Sequence, residues 1–298
     1  MQPFIIYFTI IGLYIGYQVY TTKRRRTLAY SNQAPTPSVV ETDIVLRGDS
    51  LNLHEVEVEE ILNKRFAYFR DLAPELKERF LQRIRKFMDD KIFIIKYGEG
   101  FKEMPVLVSA AAIQLSFGLK DYLMPFYKYI RIYPEEYVAP HALKVLAGNV
   151  SGCTITVSWN HFLKGYEDLT DGSNVGLHEM SHALYFQKEV VYQDHAIRFN
   201  RRYRYLMEKS ADAYDHETKG RYNLYSAYAE SNMQEFWAES VELFFEKPHE
   251  LRQIYPDVFE GMCALLRQDP CNKAMPIEKK KPVRDRLKSI SIRRSTIH

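Results

Sequence analysis

The sequence predicts an α+β fold that is predominantly helical, with a small β-sheet and one transmembrane helix in front of the folded domain. Apolar residues recur every three or four positions in residues 54–69 and 74–91, which is the period of amphipathic helices. Two short runs, the alternating KYIRIYP at 128–134 and the β-branched TITVSW at 154–159, are typical of strands. Residues 3–20 contain no charged side chain over a length that just spans the hydrocarbon core of a bilayer.

The composition is that of a folded protein with a hydrophobic core. Of 298 residues, 46% are hydrophobic and 27% are charged, which is ordinary for globular proteins. The net charge of +3 is too small to predict a nucleic-acid partner. The three cysteines, Cys153, Cys263 and Cys271, are scattered, which excludes a disulfide framework and a C-x-x-C zinc pair and favours a reducing compartment.

The amino-terminal segment, residues 3–22, is predicted to be a membrane anchor. A cleaved signal peptide would need a basic start, a shorter apolar stretch and a small-x-small cleavage site, and the segment has none of these. A buried core helix is the remaining alternative, because the segment is short and rich in Tyr. Four basic residues, at positions 23–26, follow directly, so the positive-inside rule places the rest of the chain in the cytoplasm.

Two segments outside the folded domain have distinct compositions. Residues 27–50 contain Pro, Ser, Thr and Asn without a helical period, which predicts a flexible tether. Residues 273–298 are basic and lack Phe, Trp and Tyr, which predicts a mobile tail that is solvated or touches anionic lipid. Nucleic acid is not expected to bind the tail, because no stacking aromatic residues interleave with its charges. The basic residues that could face lipid are Lys279, Lys280, Lys281, Arg293 and Arg294.

One folded domain is expected over residues 51–272, because this part has neither an internal repeat nor a second linker. Residues 105–118 are apolar on nearly all sides, which predicts a buried helix. A further amphipathic helix is expected over about residues 233–246 and is closely followed by Pro248.

The string HEMSH predicts a zinc-binding helix after the two strands. Residues i and i+4 share one helix face, so His178 and His182 can both present an imidazole nitrogen to one zinc ion. Glu179 can reach a metal-bound water instead of the metal, which makes it the expected general base. The alternative is an ordinary helix with two histidines on its solvent face.

The sequence around HEMSH favours the metal site. Residues 171–173, Asp-Gly-Ser, provide turn and N-cap residues in front of the helix. The helix also has an apolar surface that would bury it and leave the histidines facing a cleft. The apolar residues are Val175, Leu177, Met180, Ala183 and Leu184.

A catalytic zinc site requires a third protein ligand. The metzincin extension would place Gly at 185 and His at 188, but Tyr185 and Lys188 stand there and exclude it. The helix expected over 233–246 offers a stripe of carboxylates instead. The stripe contains Glu235, Glu239, Glu242 and Glu246.

Two assignments within this stripe are open from the sequence. In the first, Glu235 is the metal ligand and Glu239, one turn later, accepts the imidazole N–H of a zinc-bound histidine. In the second, Glu239 itself is the ligand. Glu235 also has a local structural explanation, because Asn232 three residues earlier could cap the helix and pair with it.

Three stretches resemble the Mlc titration factor A metallopeptidases, bacterial relatives of the anthrax lethal factor catalytic domain. They are TVSWNHFLKGYEDLTDGSNVGLHEMSHAL, NMQEFWAESVELFFEKP and YPDVFEGMCALLRQDP, and the likeness covers about residues 62–270. The resemblance implies a zincin-like fold of the glutamate-ligand type, with one zinc ion on His178, His182 and Glu235 and with Glu179 as base.

The resemblance also implies that Tyr228 hydrogen-bonds the oxyanion of the tetrahedral intermediate. The sequence by itself does not separate this residue from Tyr222 or Tyr225. Two departures from the family pattern concern the wall that faces the substrate. Tyr185 stands where the family commonly has Asp, and residues 190–221 match the family poorly.

The predicted function is a membrane-anchored zinc peptidase, single-pass in a bacterial inner membrane, whose catalytic domain faces the cytoplasm and acts on peptides or proteins. The family resemblance implies aminopeptidase-like cleavage of short peptides. The alternative hypothesis is a regulatory binding protein that sequesters a cytoplasmic transcriptional regulator at the membrane. A structural zinc site is disfavoured, because such sites close the fourth position and leave Glu179 without a role.

Overall fold

The computed structural model describes residues 43–96, 102–138, 145–191, 197–220 and 222–272. The membrane anchor predicted over residues 3–22 and the tail predicted over 273–298 lie outside these ranges. Within them, no helix combines the length and apolar character that crossing a membrane requires.

The described part contains a five-stranded mixed sheet and a two-stranded one. The larger sheet has the order β1-β2-β3-β7-β6, in which β2, β3 and β7 are parallel and the two outer strands run antiparallel to their neighbours. The strands are β1 (Ile44–Leu46), β2 (Ile92–Ile95), β3 (Tyr129–Tyr133), β4 (Tyr137–Val138), β5 (Val145–Leu146), β6 (Gly148–Ser151) and β7 (Thr154–Ser158), with β4 and β5 forming the small sheet.

The two strands predicted from the sequence are confirmed as β3 and β7. In β3, Ile130 and Ile132 are fully buried while the residues between them face the other side, as the alternating pattern predicts. The strand β7 pairs with β3 and β6 on its two edges, and it is buried along most of its length because the helices Trp159–Glu167 and Val175–Tyr185 pack against it.

The predicted tether over residues 27–50 is wrong for its last part. Residues 44–46 form β1, which pairs antiparallel with β2 in the register Ile44↔Ile95, and a 3₁₀ turn follows at Gly48–Leu51. The apolar run Ile-Val-Leu hydrogen-bonds to an edge that β2 would otherwise leave open. Neither β1 nor β2 was expected from the sequence.

Ten α-helices occur in the described ranges. They are α1 (Glu55–Arg65), α2 (Ala67–Arg70), α3 (Pro74–Asp90), α4 (Glu103–Ser116), α5 (Trp159–Glu167), α6 (Val175–Tyr185), α7 (Ile197–Thr218), α8 (Met233–Glu246), α9 (Pro248–Ile254) and α10 (Pro256–Leu266). The predominantly helical α+β class is therefore confirmed.

The helix predicted over residues 54–69 is interrupted at Phe66. This residue has an extended backbone, and its fully buried ring lies 4.8 Å from the ring of Tyr166 and 6.2 Å from that of Phe80. Packing of the aromatic ring in the core therefore outweighs continuation of the helix. The result is the pair α1 and α2.

Helix α4 is the central support of the site. All its residues from Met104 to Ser116 are buried, which confirms the apolar helix predicted at this position. It packs against α1, α3 and α6, and α6 in turn packs against the strands β6 and β7. The HEMSH helix therefore lies between a buried helix and the edge of the main sheet.

The longest helix, α7, was not predicted. Its buried positions include Phe199, Tyr203, Leu206 and Ala213, and α10 packs along it. The periodicity was hidden because Arg and Tyr residues are dense in this part of the sequence and Tyr203 is itself a core residue.

Candidate metal centre

Asn174 is the N-cap residue of the HEMSH helix, α6. The side-chain Oδ1 of Asn174 accepts a hydrogen bond of 3.0 Å from the Leu177 amide, which is the N-cap arrangement. The cap expected within residues 171–173 is corrected by this contact. Asp171 instead accepts from the Ser173 amide at 2.8 Å and shapes the preceding turn.

Two glycines bring helix α5 into direct contact with the start of α6. A Cβ atom on Gly176 would lie 2.6 Å from Cε2 of Phe162, and one on Gly165 would lie 2.9 Å from Cα of Asn174. Real Cβ atoms do not come so close to their neighbours, so larger residues would push the helices apart. These glycines therefore help to fix the position of the HEMSH helix.

Three candidate ligand atoms converge between α6 and α8. The Nε2 atoms of His178 and His182 are 3.1 Å apart, and Oε2 of Glu235 lies 3.1 Å from the first and 3.3 Å from the second. His178, His182 and Glu235 therefore form a candidate metal site, because one ligand atom from each lies close to the other two. Their side chains are 14%, 19% and 16% exposed, so the cluster is open to solvent on one side.

The donor set and its spacing fit a zinc ion. Zinc bonds of about 2.0–2.2 Å in a tetrahedral site place the ligand atoms about 3.3–3.5 Å from one another, close to the observed separations. Burial lowers the pKa of the His178 imidazole, but hydrogen bonds with Glu235 and Glu242 raise it well above its usual value. The surroundings thus favour positive charge at the point where the three atoms meet, and a divalent cation supplies that charge.

The other ring nitrogen of His178 is held by Glu242. The distance from Nδ1 to Oε1 of Glu242 is 2.6 Å, so the Nδ1–H group donates a hydrogen bond to the buried carboxylate. The Nε2 atom is then left to bind a metal. Glu239 was expected to accept this imidazole proton. In the structure its carboxylate instead accepts from the amide and the hydroxyl of Ser226, which corrects the expectation.

The glutamate stripe of α8 faces the HEMSH helix and not the solvent. Glu239, Glu242 and Glu246 are all buried. The second carboxylate oxygen of Glu242 accepts the backbone N–H of Asn174, and Oε1 of Glu246 accepts from Nδ2 of Asn174 at 3.0 Å. One helix thus provides a candidate metal ligand, a support for His178 and a contact to the N-cap.

Asn232 caps helix α8, as the sequence suggested. Its Oδ1 accepts from the amides of Gln234 and Glu235 at 2.9 and 3.1 Å. The Glu235 side chain contacts the two imidazoles.

Glu179 lies beside the cluster in a buried position. The residue is 6% exposed, its Oε2 atom has no hydrogen-bond partner among the described residues, and burial raises its pKa to about 6. A Cβ atom on Gly148 would lie 2.6 Å from Cγ of Glu179, so the edge strand β6 passes directly over this carboxyl group. Gly148 was not singled out in the sequence, because the strand β6 that contains it was itself not predicted.

The structure distinguishes the three candidate tyrosines. The ring of Tyr228 is 59% exposed and lies 6.2 Å from the His178 ring, and burial together with Glu235 and Glu179 raises the phenol pKa. Tyr225 is buried, with its hydroxyl 2.9 Å from the Ser240 hydroxyl. Tyr222 packs its ring against those of His216 and Tyr255.

Comparison with known proteins gives one match that covers most of the chain. A family model described as "Glucose-regulated metallo-peptidase M90" matches residues 51–267. No curated protein matches the sequence. The matched range includes the HEMSH helix α6, the residues 222–228 that contain the three candidate tyrosines, and the helix α8 that contains Glu235.

Proposed function

Because the chain belongs to the glucose-regulated metallo-peptidase M90 family, we propose that it hydrolyses peptide bonds with one zinc ion held by His178, His182 and Glu235. The observation that supports this most directly is the convergence of three ligand atoms beside a buried carboxyl group with an unpaired oxygen. Such an arrangement has the parts of a catalytic site, namely three protein ligands and a general base.

Each side chain has a defined role in this proposal. A bound zinc ion supplies Lewis acidity, which lowers the pKa of water to about 7 and polarises the scissile carbonyl. Glu179 takes a proton from the attacking water while the water oxygen bonds to the carbonyl carbon. The same carboxyl group then gives this proton to the departing amine as the C–N bond breaks. Tyr228 donates its phenol hydrogen to the developing oxyanion, which its exposed position beside His178 permits.

The substrate class is a peptide or protein, and we include aminopeptidase-like trimming of short peptides in the proposal. The proposal also includes a membrane anchor over residues 3–22 and a cytoplasmic catalytic domain, which are supported by the sequence alone. The alternative of a regulator-sequestering protein receives no support from the family match, whose description names a peptidase.

The test is cleavage of a mixed peptide library by the zinc-loaded protein and by its Glu179→Gln variant, read by mass spectrometry. Glutamine preserves the size of the side chain but cannot accept a proton, so the variant should bind zinc and cleave nothing. Product ends will show whether amino termini are trimmed or internal bonds are cut. If both proteins bind zinc and neither cleaves any peptide, the proposal is wrong.

A further inference from the structure

The backbone near Tyr228 is held by hydrogen bonds, while the side chain of Tyr228 is largely exposed. Tyr228 is 59% exposed within the part of the chain that the structure describes. The position of its phenol relative to the imidazole of His178, whose ring centroid is 6.2 Å away, therefore depends on the backbone of residues 224–228.

The first part of this segment is held by Glu217, near the end of helix α7. Its buried Oε2 accepts the amides of Leu224 and Tyr225, each at 3.1 Å, and its other oxygen accepts the hydroxyl of Tyr255. Three donors on one carboxylate make a strong fixed point, because hydrogen bonds to a charged acceptor are about twice as strong as neutral ones.

The second part is held by Glu239 through Ser226. Glu239 accepts the Ser226 amide at 2.9 Å and also the Ser226 hydroxyl. The same hydroxyl oxygen accepts the backbone N–H of Tyr228 at 3.0 Å. Ser226 is therefore the link between a buried carboxylate of α8 and the backbone of Tyr228.

We propose that Ser226 is a positioning residue that fixes Tyr228 relative to the metal ligands. Its carboxylate partner, Glu239, lies one helical turn after the candidate ligand Glu235. The candidate metal ligand and the support of Ser226 therefore belong to the same helix, α8. The inference rests on the proposed function, because the position of the phenol affects the rate only if Tyr228 stabilises an oxyanion. An interaction made only in the transition state changes kcat and leaves KM nearly unchanged.

The first arm of the test compares Ser226→Ala with Ser226→Thr in the full chain. Alanine removes both hydroxyl hydrogen bonds, whereas threonine keeps them. We expect kcat to fall by about 10-fold or more in the alanine variant, since small misplacements of catalytic groups cost up to about 100-fold. KM and the zinc content should stay unchanged, and threonine should restore most of kcat. A melting temperature for each variant establishes that it is folded.

The second arm repeats the alanine change on a Tyr228→Phe background. If Ser226 acts only through the phenol hydroxyl, the second substitution should lower kcat by no more than about 2-fold once that hydroxyl is gone. Equal losses on both backgrounds would mean that Ser226 acts independently of Tyr228, and the inference would then be wrong.

The third arm does not require activity. With 3-fluorotyrosine at position 228, the fluorine NMR resonance should be single and narrow in the wild type and in Ser226→Thr, and shifted or broadened in Ser226→Ala. An unchanged resonance in the alanine variant contradicts the inference. If the wild type cleaves no peptide, the proposed function fails, and the resonance still decides whether Ser226 positions Tyr228.

Discussion

At the scale of single residues, the clearest assignment concerns the carboxylate behind His178. Glu242 is buried and contacts both Nδ1 of His178 and the backbone N–H of Asn174. It therefore fixes the tautomer of a candidate metal ligand and at the same time binds the beginning of the helix that provides it. Glu239, on the same stripe, has a different partner and a different role.

We predict that Glu242→Gln weakens zinc binding by about 10–100-fold, which is the usual effect of altering such a supporting contact. The amide is nearly the same size but is a poorer acceptor for the imidazole N–H. Competition with a chromophoric chelator measures the dissociation constant. The matched control is Glu239→Gln. Because Glu239 contacts Ser226 and not an imidazole nitrogen, this variant should retain the wild-type affinity for zinc. If Glu239→Gln weakened zinc binding more than Glu242→Gln, Glu239 would instead be the acceptor of the imidazole N–H.

The sequence identified the two histidines because a spacing of four residues in a helix defines a shared face, whereas the choice of Glu235 over Glu239 rested on the family resemblance. The sequence could not rank Glu239 against Glu242, since both lie on the face that includes Glu235. The choice depends on the axial offset between α6 and α8, which arises from tertiary contacts such as the 3.0 Å bond from Trp237 Nε1 to the Ser181 carbonyl. No local sequence pattern encodes that offset.

At the scale of elements, the interface between the start of α6 and the end of α8 is polar and buried. Glu246 lies at this interface, with one oxygen on Asn174 and the other without a hydrogen-bond partner. Burial raises its pKa from 4.5 to about 8, with the nearby Glu242 carboxylate raising it further and the contact from Asn174 opposing the shift. The folded state therefore holds a proton that the unfolded state releases.

This shift gives the free energy of unfolding a defined pH dependence. Between about pH 4.5 and pH 8 the folded state binds more protons than the unfolded state, so stability falls as the pH rises through this window. The slope from this group is at most about 1.4 kcal/mol per pH unit. Below the window both states are protonated and the group contributes no slope.

We predict that Glu246→Gln flattens this dependence, because the amide cannot ionise but can still accept from Asn174. Urea unfolding at several pH values between 5 and 8 measures it, with a chelator present because zinc binding itself depends on pH. Glu250→Gln, at an exposed position on the next helix, is the control and should follow the wild-type curve. Parallel curves for wild type and Glu246→Gln would contradict the prediction.

Elements with a strong period were predicted well, and elements defined by pairing were not. Helices α3, α4 and α8 and strands β3 and β7 follow the sequence expectations closely. The strand β1 was missed because three apolar residues next to a polar segment form a strand only when β2 provides hydrogen-bonding partners. The break at Phe66 was missed for a related reason, since it follows from aromatic packing with Tyr166, far along the chain.

At the scale of the whole molecule, the candidate site connects two layers of the fold. Helix α6 packs against the sheet and the buried helix α4, while α8 packs against α6, α7, α9 and α10. The candidate zinc ligands come from both α6 and α8, so a bound ion would join the sheet-side layer to the helical layer. A ligand that binds only the folded state stabilises it by mass action.

We therefore predict that removing zinc lowers the melting temperature of the whole domain, and not only the activity. At a free zinc concentration 1,000 times the dissociation constant, binding contributes about 4 kcal/mol. For a domain of this size, each kcal/mol corresponds to a shift of about 2–4 °C. Calorimetry with excess zinc and then with excess chelator should differ by about 8–16 °C.

The Glu235→Gln variant separates this effect from nonspecific metal binding. It keeps the volume of the third ligand but weakens its bond to the ion, so the difference between zinc and chelator should shrink. With chelator present, the variant should melt at or slightly below the temperature of the wild type, because it loses the contacts of the Glu235 carboxylate with the partly exposed imidazoles of His178 and His182. Equal melting temperatures of the wild type with and without zinc would show that these two layers are held together without the ion.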